Sequence, residues 1–574
     1  MKRFVSVLLI ALLVAMLFAG CAGDTLTPEN SDPGTSDPVA TQTPSGGIQD
    51  QTSEEAAQAG ASTEAGGLIQ SPVTEADFAA YDAIDPGLYS YDPASATNDY
   101  DGDIVIVQAD DMVTFDTTVT TLLHNADIQY EIYSRLFVAT PENAYVPELC
   151  ESYELVSDTE WRFTIHKGVK FHDGSVLTID DVVYSLNRAK DSAMMKNLYA
   201  PVVAITKVDD DTISITTNGP YPGLTAALGH AASSILSQEY AEWCIANDDW
   251  TKPIGTGRYK FDSREIGNYV KLVRFDDYFN QDDPARNASL TIKAIPEATA
   301  RTIAVETGEA HVNVDFSTAD YDRVLADGKL KIWARAGGTP HGLGMDVTVG
   351  WFTNKLVRQA VSYAIDREAC LEVGYDGLGV VSYTPLAPHC IGYVNNPLDM
   401  YSYDVEKAKQ LMTEAGCTGF STQLIVISAI DEKVAVVIQS NLAEIGINVE
   451  IVRIEPSVFT TTVLEHGAPL YINNWGCFRD PDMFLGRRFG TVGLGAANRN
   501  WYATEELDAM IVEARSTFDE EERAVLYKAI QEYLAVDMPE AELYVPNLFM
   551  LTSKEVKGAV INHDRPYRYY SLHF

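Results

Sequence analysis

The sequence predicts an α/β fold with mixed sheets, and three stretches carry that prediction. Trp161, Phe163 and Ile165 alternate with Arg162, Thr164 and His166, the period of a half-buried strand. Val357, Ala360, Val361, Ala364 and Ile365 recur at i, i+3, i+4, i+7 and i+8, the apolar stripe of an amphipathic helix. Residues 424–427 read as a strand, 432–445 as a helix stopped by Gly446, and 449–454 as a second strand. Such a βαβ unit demands a parallel strand pair joined by a right-handed crossover.

At 574 residues the chain exceeds one domain, and at 46% hydrophobic it has ample material for cores. Its formal charge of −41 repels phosphate backbones and anionic headgroups, which excludes nucleic acid as a partner. Lys2-Arg3 precedes an almost wholly apolar run, residues 4–18, and then Ala19-Gly20-Cys21. This is the pattern of a secretory signal, too short to span a bilayer, which takes about 20 apolar residues. Cys after Ala-Gly resembles a bacterial lipoprotein box, although Phe18 stands where Leu or Val is usual. That assigns residues 1–20 to a signal peptide and Cys21 to lipidation. Residues 22–100 hold fourteen Asp or Glu and no Lys or Arg. Such a stretch buries too little apolar surface to offset its ordering entropy, so residues 21–101 are expected to be an acidic, disordered tether. The other six cysteines show neither CxxC pairs nor metal-ligand spacing; a single disulfide is possible, and the sequence does not choose one.

The folded body is expected to start near Asp103. Ile104 to Val107 suit a buried strand, Asp110 and Asp111 a loop, and residues 125–136 a helix. After the strand at 161–165, Lys167-Gly168 turns the chain and residues 169–171 read as the returning strand of a hairpin. His172-Asp173-Gly174 is turn chemistry. Thr178, three residues before Asp181, caps a helix whose apolar face is Val182, Val183 and Leu186. Gly255 and Gly257 in Pro253-Ile-Gly-Thr-Gly imply a tight turn or a close backbone approach. A phosphate loop is excluded there because no Lys-Ser/Thr follows. Residues 404–415, 505–516 and 519–535 read as further helices, and a strand-rich segment closes the chain.

Read as motifs, these stretches resemble the solute-binding proteins of peptide and nickel ABC importers, solute-binding protein family 5. The resemblance is carried by WRFTIHKGVKFHDG with its DDV helix, by PIGTG, by Ile295-Pro296-Glu297 with Arg301 and Gly308-Glu309-Ala310, and by RQAVSYAIDRE. It runs from about Asp103 to the C-terminus. It implies a periplasmic-binding-protein-like two-lobe fold with mixed sheets and an extra domain inserted in lobe I. Lobe I would comprise 102–133, 254–340 and 548–574, the inserted domain 134–253 and lobe II 341–547. The chain would cross between lobes near His341 and near Val545, with solute held in the cleft between them. The implied partners are a small-molecule solute and ABC permease subunits, with the membrane met through the lipid anchor only. The protein is expected to be a monomer without cofactor or metal.

Catalytic constellations are missing from the sequence: it has no G-x-S-x-G elbow, no H-E-x-x-H and no Walker loop. The chain is therefore read as a binding protein; a ligand-sensing role and an extracellular hydrolase are the alternatives. The run W-x-x-x-x-D-P at 475–481 is similar to the family's cleft loop in lobe II. In the peptide-binding branch an Asp three positions before the D-P Asp grips the peptide's α-ammonium, and here that position is Cys477. A neutral thiol cannot pair an ammonium, so free di- to pentapeptides are expected to bind weakly unless Asp110 or Asp111 takes over. An anionic or neutral solute fits better, with Trp475 and Phe478 as apolar walls. Arg479 would either meet a carboxylate or form a surface ion pair. Alignment adds His341, Tyr383, Arg499, Asn500 and Trp501 as cleft candidates.

Overall fold

A computed structural model describes residues 102–120, 122–140, 144–193, 198–562 and 567–574. The leader, Cys21 and the acidic stretch through residue 101 lie outside the described residues. Strand β1 (Asp103–Gln108) opens the body as expected, with Ile104, Ile106 and Val107 fully buried. The helix after it is Leu123–Ile132, shorter than the expected 125–136, because Tyr133 is already extended. Gly255 and Gly257 pack against that helix end. A Cβ on either would lie 2.1 Å from the Ile132 carbonyl oxygen or 2.4 Å from that of Glu131. The close approach lets Gly257 N–H donate to the Ile132 carbonyl at 2.8 Å, which caps the helix.

Strands β2 (Phe137–Ala139) and β3 (Tyr145–Pro147) pair as a hairpin. Next, β4 (Cys150–Ser157), β5 (Glu160–Ile165), β6 (Val202–Lys207) and β7 (Thr212–Thr217) form an antiparallel sheet in the order β4-β5-β7-β6. The alternation at Trp161–Ile165 is therefore borne out, but its expected partner is not. Residues 169–171 do not pair with β5. They close a small local loop instead, with Leu177 N–H on the Val169 carbonyl and Phe171 N–H on the Ser175 carbonyl. Gly168, at φ +73°, swings the chain away from the sheet, and β5 takes β4 and β7 as neighbours. The helix Ile179–Asp191 begins with the expected capping box: Thr178 accepts from Asp181 N–H, and the Asp181 carboxylate accepts from Thr178 N–H.

The remaining strands join one long mixed sheet with β1. They are β8 (Tyr259–Glu265), β9 (Tyr269–Arg274), β10 (Ser289–Ala294), β11 (Val312–Asn313), β12 (Leu330–Ala336), β13 (His341–Met345), β14 (Gly379–Val381), β15 (Phe420–Val426), β16 (Ile447–Arg453), β17 (Leu470–Asn474) and β18 (Glu540–Ser553). The order is β16-β15-β17-β13-β18-β11-β1-β10-β9-β8, with β12 and β14 also on β18. The βαβ unit is present: β15 and β16 are parallel, with the helix Ala429–Ala443 between them. β18 organises the whole sheet. Its first residues pair with β13 and β14, and its last seven, from Asn547, pair with β12.

The cores follow the same partition. One gathers Leu343, Val361, Leu424, Ile438 and Leu470 under β13, β15 and β17. Another gathers Ile104, Tyr259, Leu290, Trp333 and Met550 under β1, β10 and β12. A third fills the space behind the four-stranded sheet, with Phe163, Phe171, Val182 and Ile215. The six described cysteines are buried free thiols. No helix among the described residues is long and apolar enough to cross a membrane.

Candidate functional site

The chain passes between the two ends of the long sheet at neighbouring places. Residues 337–340 join β12 to β13, and β18 runs through at Val545–Leu548. Gly337 N–H donates to the Pro546 carbonyl at 3.0 Å, which ties the crossings together. The loop after β17 hangs from the first crossing, with Trp475 N–H on the Pro340 carbonyl at 3.2 Å and Cys477 N–H on the Gly338 carbonyl at 2.7 Å. β17 and β15 are parallel, so this loop lies at the carboxyl ends of parallel strands, where open α/β sheets hold ligands.

Several sequence candidates gather here. His341 starts β13 and stacks on Tyr544, ring centroids 5.2 Å apart, with Tyr375 edge-on at 5.7 Å. Burial lowers its pKa to about 4, so the ring is neutral at pH 7. Half-exposed Trp475 carries the Arg499 guanidinium over its ring at 4.8 Å. Arg499 Nη1 donates to Asn473 Oδ1 at 2.7 Å and Nη2 to Thr460 Oγ1 at 3.4 Å. Asn500 is buried, accepting from Tyr471 Oη at 2.5 Å and donating to Glu540 at 3.1 Å. Trp501 takes a left-handed φ of 56° and stacks on His466, centroids 4.5 Å apart. Phe478 is half-exposed and meets His230 edge-on at 6.5 Å.

Other candidates are engaged elsewhere. Cys477 is 2% exposed, and its thiol faces the Pro385 carbonyl at 3.5 Å rather than open space. Arg479 holds Glu520 through both terminal nitrogens, which is the surface ion pair of its two expected roles. Tyr383 lies 4.5 Å under the Arg367 guanidinium and lines a small cavity with Glu540 and Glu542. Asp111 binds Arg264 at 3.1 Å and Gly267 N–H at 2.8 Å, tying its loop to the β8–β9 turn. Exposed Asp110 lies 3.2 Å from His124. Both carboxylates are thus engaged away from the loop at 475–479.

Sequence reasoning missed three groups. His230 and His389 keep partial exposure, yet burial lowers both pKa values to about 4, so they are neutral rings in a confined space. His389 Nε2 lies 3.0 Å from the Cys477 carbonyl. Each is a lone histidine in a loop, and no spacing could have singled it out. The third group is Arg488 with Glu540 and Glu542, all 5% exposed or less. Arg488 reaches Glu540 at 2.7 Å and Glu542 at 2.8 Å. Gly342 makes room for them, because a Cβ there would lie 2.7 and 2.8 Å from their carboxylate oxygens. The alternation of Glu540 and Glu542 on a strand was a usable signal for one shared face. No group of three or more His, Cys, Asp or Glu able to hold a metal occurs among the described residues.

The arrangement is a set of stacking faces, neutral imidazoles and one arginine beside a double crossing. Over most of its length the chain is similar to known proteins. The family model described as bacterial extracellular solute-binding proteins, family 5 middle, matches residues 144–495. Heme-binding protein A of Haemophilus influenzae is 31% identical over 471 residues, covering 76% of this chain and 85% of that protein. The glutathione-binding protein GsiB of Pectobacterium atrosepticum is 28% identical, covering 75% and 86%. Among solved structures, the ABC transporter-associated periplasmic binding protein DppA of Helicobacter pylori, in complex with the peptide STSA, superposes with a TM-score of 0.71. It is 25% identical, covering 83% of this chain and 98% of that one.

Proposed function

The chain belongs to the bacterial extracellular solute-binding proteins of family 5, and from that premise we propose that it is a lipid-anchored carrier of a small peptide-like or chelate solute for an ABC importer. Its relatives are binding proteins of transport systems rather than enzymes, and the coarse role, extracytoplasmic solute capture for an ABC importer, is the family's. The finer reading divides the body into lobe I (102–133, 254–340, 548–574), an inserted domain (134–253) and lobe II (341–547). The observation that carries it is the paired crossing at residues 337–340 and Val545–Leu548, with Trp475, Phe478 and His341 beside it. Two adjacent crossings are the arrangement about which two halves can close on a solute. The heme-, glutathione- and peptide-binding relatives span solutes that differ in shape but share carboxylates. A cleft of stacking faces, neutral histidines and an arginine suits such molecules.

Residues 1–20 act as the signal peptide in this reading. Cys21 takes the lipid, and 21–101 is the tether that holds the body off the membrane. Two measurements test it. Native mass spectrometry of the protein purified from its own cells should reveal a bound small molecule. Cys21→Ala should release the protein from the membrane fraction or block its processing. A mutant as membrane-bound and as fully processed as the parent would remove the lipid anchor from the reading.

A further inference from the structure

We infer that Arg499 is the carboxylate grip of the solute site, with the Asn473 amide and the Trp475 ring completing it. The inference rests on the solute-binding reading above and adds the charge of the solute and the residue that recognises it.

Less holds Arg499 than holds Arg358, Arg367, Arg301 or Arg488. Arg358 and Arg367 each make four hydrogen bonds, all but one to backbone carbonyls, and Arg301 makes three to carbonyls. Arg488 has two carboxylates. Arg499 has two hydrogen bonds, both to neutral side-chain oxygens, and forms no ion pair among the described residues. Among the described residues Arg499 has neither a carboxylate of its own, as Arg488 has, nor the backbone carbonyls that surround Arg301, Arg358 and Arg367. The carboxylate that acts on it, Glu540, is already held by Arg488 at 2.7 Å.

The surroundings point the same way. Arg499 Nε, Asn473 Nδ2 and Trp475 Nε1 are covered donors with no partner among the described residues. Three unmatched donors on three touching side chains make a cluster that lacks acceptors. A carboxylate supplies acceptors and one negative charge, and a planar guanidinium meets it through two parallel bonds. The guanidinium is also fixed in orientation, lying between Phe459 at 5.2 Å and Trp475 at 4.8 Å. Its place is set by the crossing, because Trp475 hangs from the Pro340 carbonyl. One guanidinium balances one negative charge. A phosphate dianion would leave an excess charge in a partly dry site beside Glu540, so the site favours a carboxylate.

Calorimetric titration of the full-length protein with three matched pairs tests this. The pairs are glutathione and its dimethyl ester, hemin and its dimethyl ester, and the tetrapeptide STSA with a free or an amidated C-terminus. The parent should bind the carboxylate member of at least one pair about 10- to 100-fold more tightly than its blocked partner. Arg499→Gln should abolish that preference, and Arg499→Lys should restore part of it. Arg479→Gln, whose guanidinium serves Glu520, should keep it. Preference retained in a folded Arg499→Gln protein overturns the inference. So does a parent protein that separates no pair, a result that needs no variant at all. Binding without discrimination overturns the carboxylate grip and leaves the solute-binding reading standing. No binding to any probe, together with no co-purifying molecule, overturns both.

Discussion

At the scale of single residues, the most consequential feature is a charge imbalance in the interior. Two buried carboxylates, Glu540 and Glu542, share the one Arg488 guanidinium. Burial pushes the Glu542 pKa up from 4.5 to about 8, Arg488 opposes that rise, and Glu540 adds to it. Between those values the folded protein holds a proton that the unfolded chain has released. Stability therefore falls as pH rises from about 4.5 to 8, at up to about 1.4 kcal/mol per pH unit while a whole proton separates the two states. Glu542→Gln removes this dependence and keeps an acceptor for Arg488. Denaturant midpoints at pH 5, 6.5 and 8.5 should therefore show the variant gaining on the parent as pH rises. Glu131, raised to about 7 chiefly by burial, titrates in both proteins and cancels in the comparison. A constant difference across the three pH values would mean that Glu542 does not hold that proton. Arg488→Met should cost more, about 3–5 kcal/mol, because it leaves both carboxylates buried without their cation.

At the scale of elements, the helix Ile179–Asp191 shows how one side chain fixes two neighbours. The Asp181 carboxylate accepts from Thr178 N–H at 2.8 Å and from Gln238 N–H at 2.8 Å, where a second helix begins. Thr178→Ala should cost about 1 kcal/mol, the usual loss for a cap. Asp181→Ala should cost clearly more, since it frees donors at two helix starts. Equal unfolding midpoints for the two variants would count against the shared role. The cap was legible from the sequence because its residues are three apart. The amphipathic stripe from Val357 to Ile365 and the βαβ order of β15 and β16 were legible because period and order are local properties. The start of β15 was not: exposed Ser421 and Gln423 hide the strand before Leu424. The supposed hairpin at 169–171 failed for a related reason. Alternation marks a strand but does not say which strand lies beside it, and β7 arrives from about fifty residues away. The site was legible only as a loop. The sequence put Trp475 and Phe478 on that loop, but whether Cys477 was open or buried, and whether Arg479 or Arg499 lacked a carboxylate, depended on contacts with Pro385, Glu520 and Asn473.

At the scale of the whole molecule, the halves touch away from the crossings. Phe518, in the turn between the helices Glu505–Ser516 and Glu520–Asp537, packs on the core behind the four-stranded sheet, 5.9 Å from the Trp161 ring. In the proposed division this contact joins lobe II to the inserted domain, so it would be lost when the halves part. β18 gives them a place to bend, because Pro546–Leu548 are only half-buried between two fully buried stretches and Pro546 has no N–H to donate. If solute binds the closed form, its apparent affinity scales with the fraction of molecules already closed. An aromatic pair contributes roughly 0.5–1.5 kcal/mol beyond its buried area. Phe518→Ala should therefore shift the balance toward the open form by about 2- to 10-fold, with a matching loss of affinity when the open form dominates. That loss should arise although Phe518 lies outside the proposed site, and it should be the same for every solute the protein binds. Small-angle scattering of the solute-free variant should give a larger radius of gyration than the parent, with the two converging once solute saturates them. Unchanged affinity and an unchanged radius would mean that the contact does not hold the cleft shut, and that closure is set at the crossings alone.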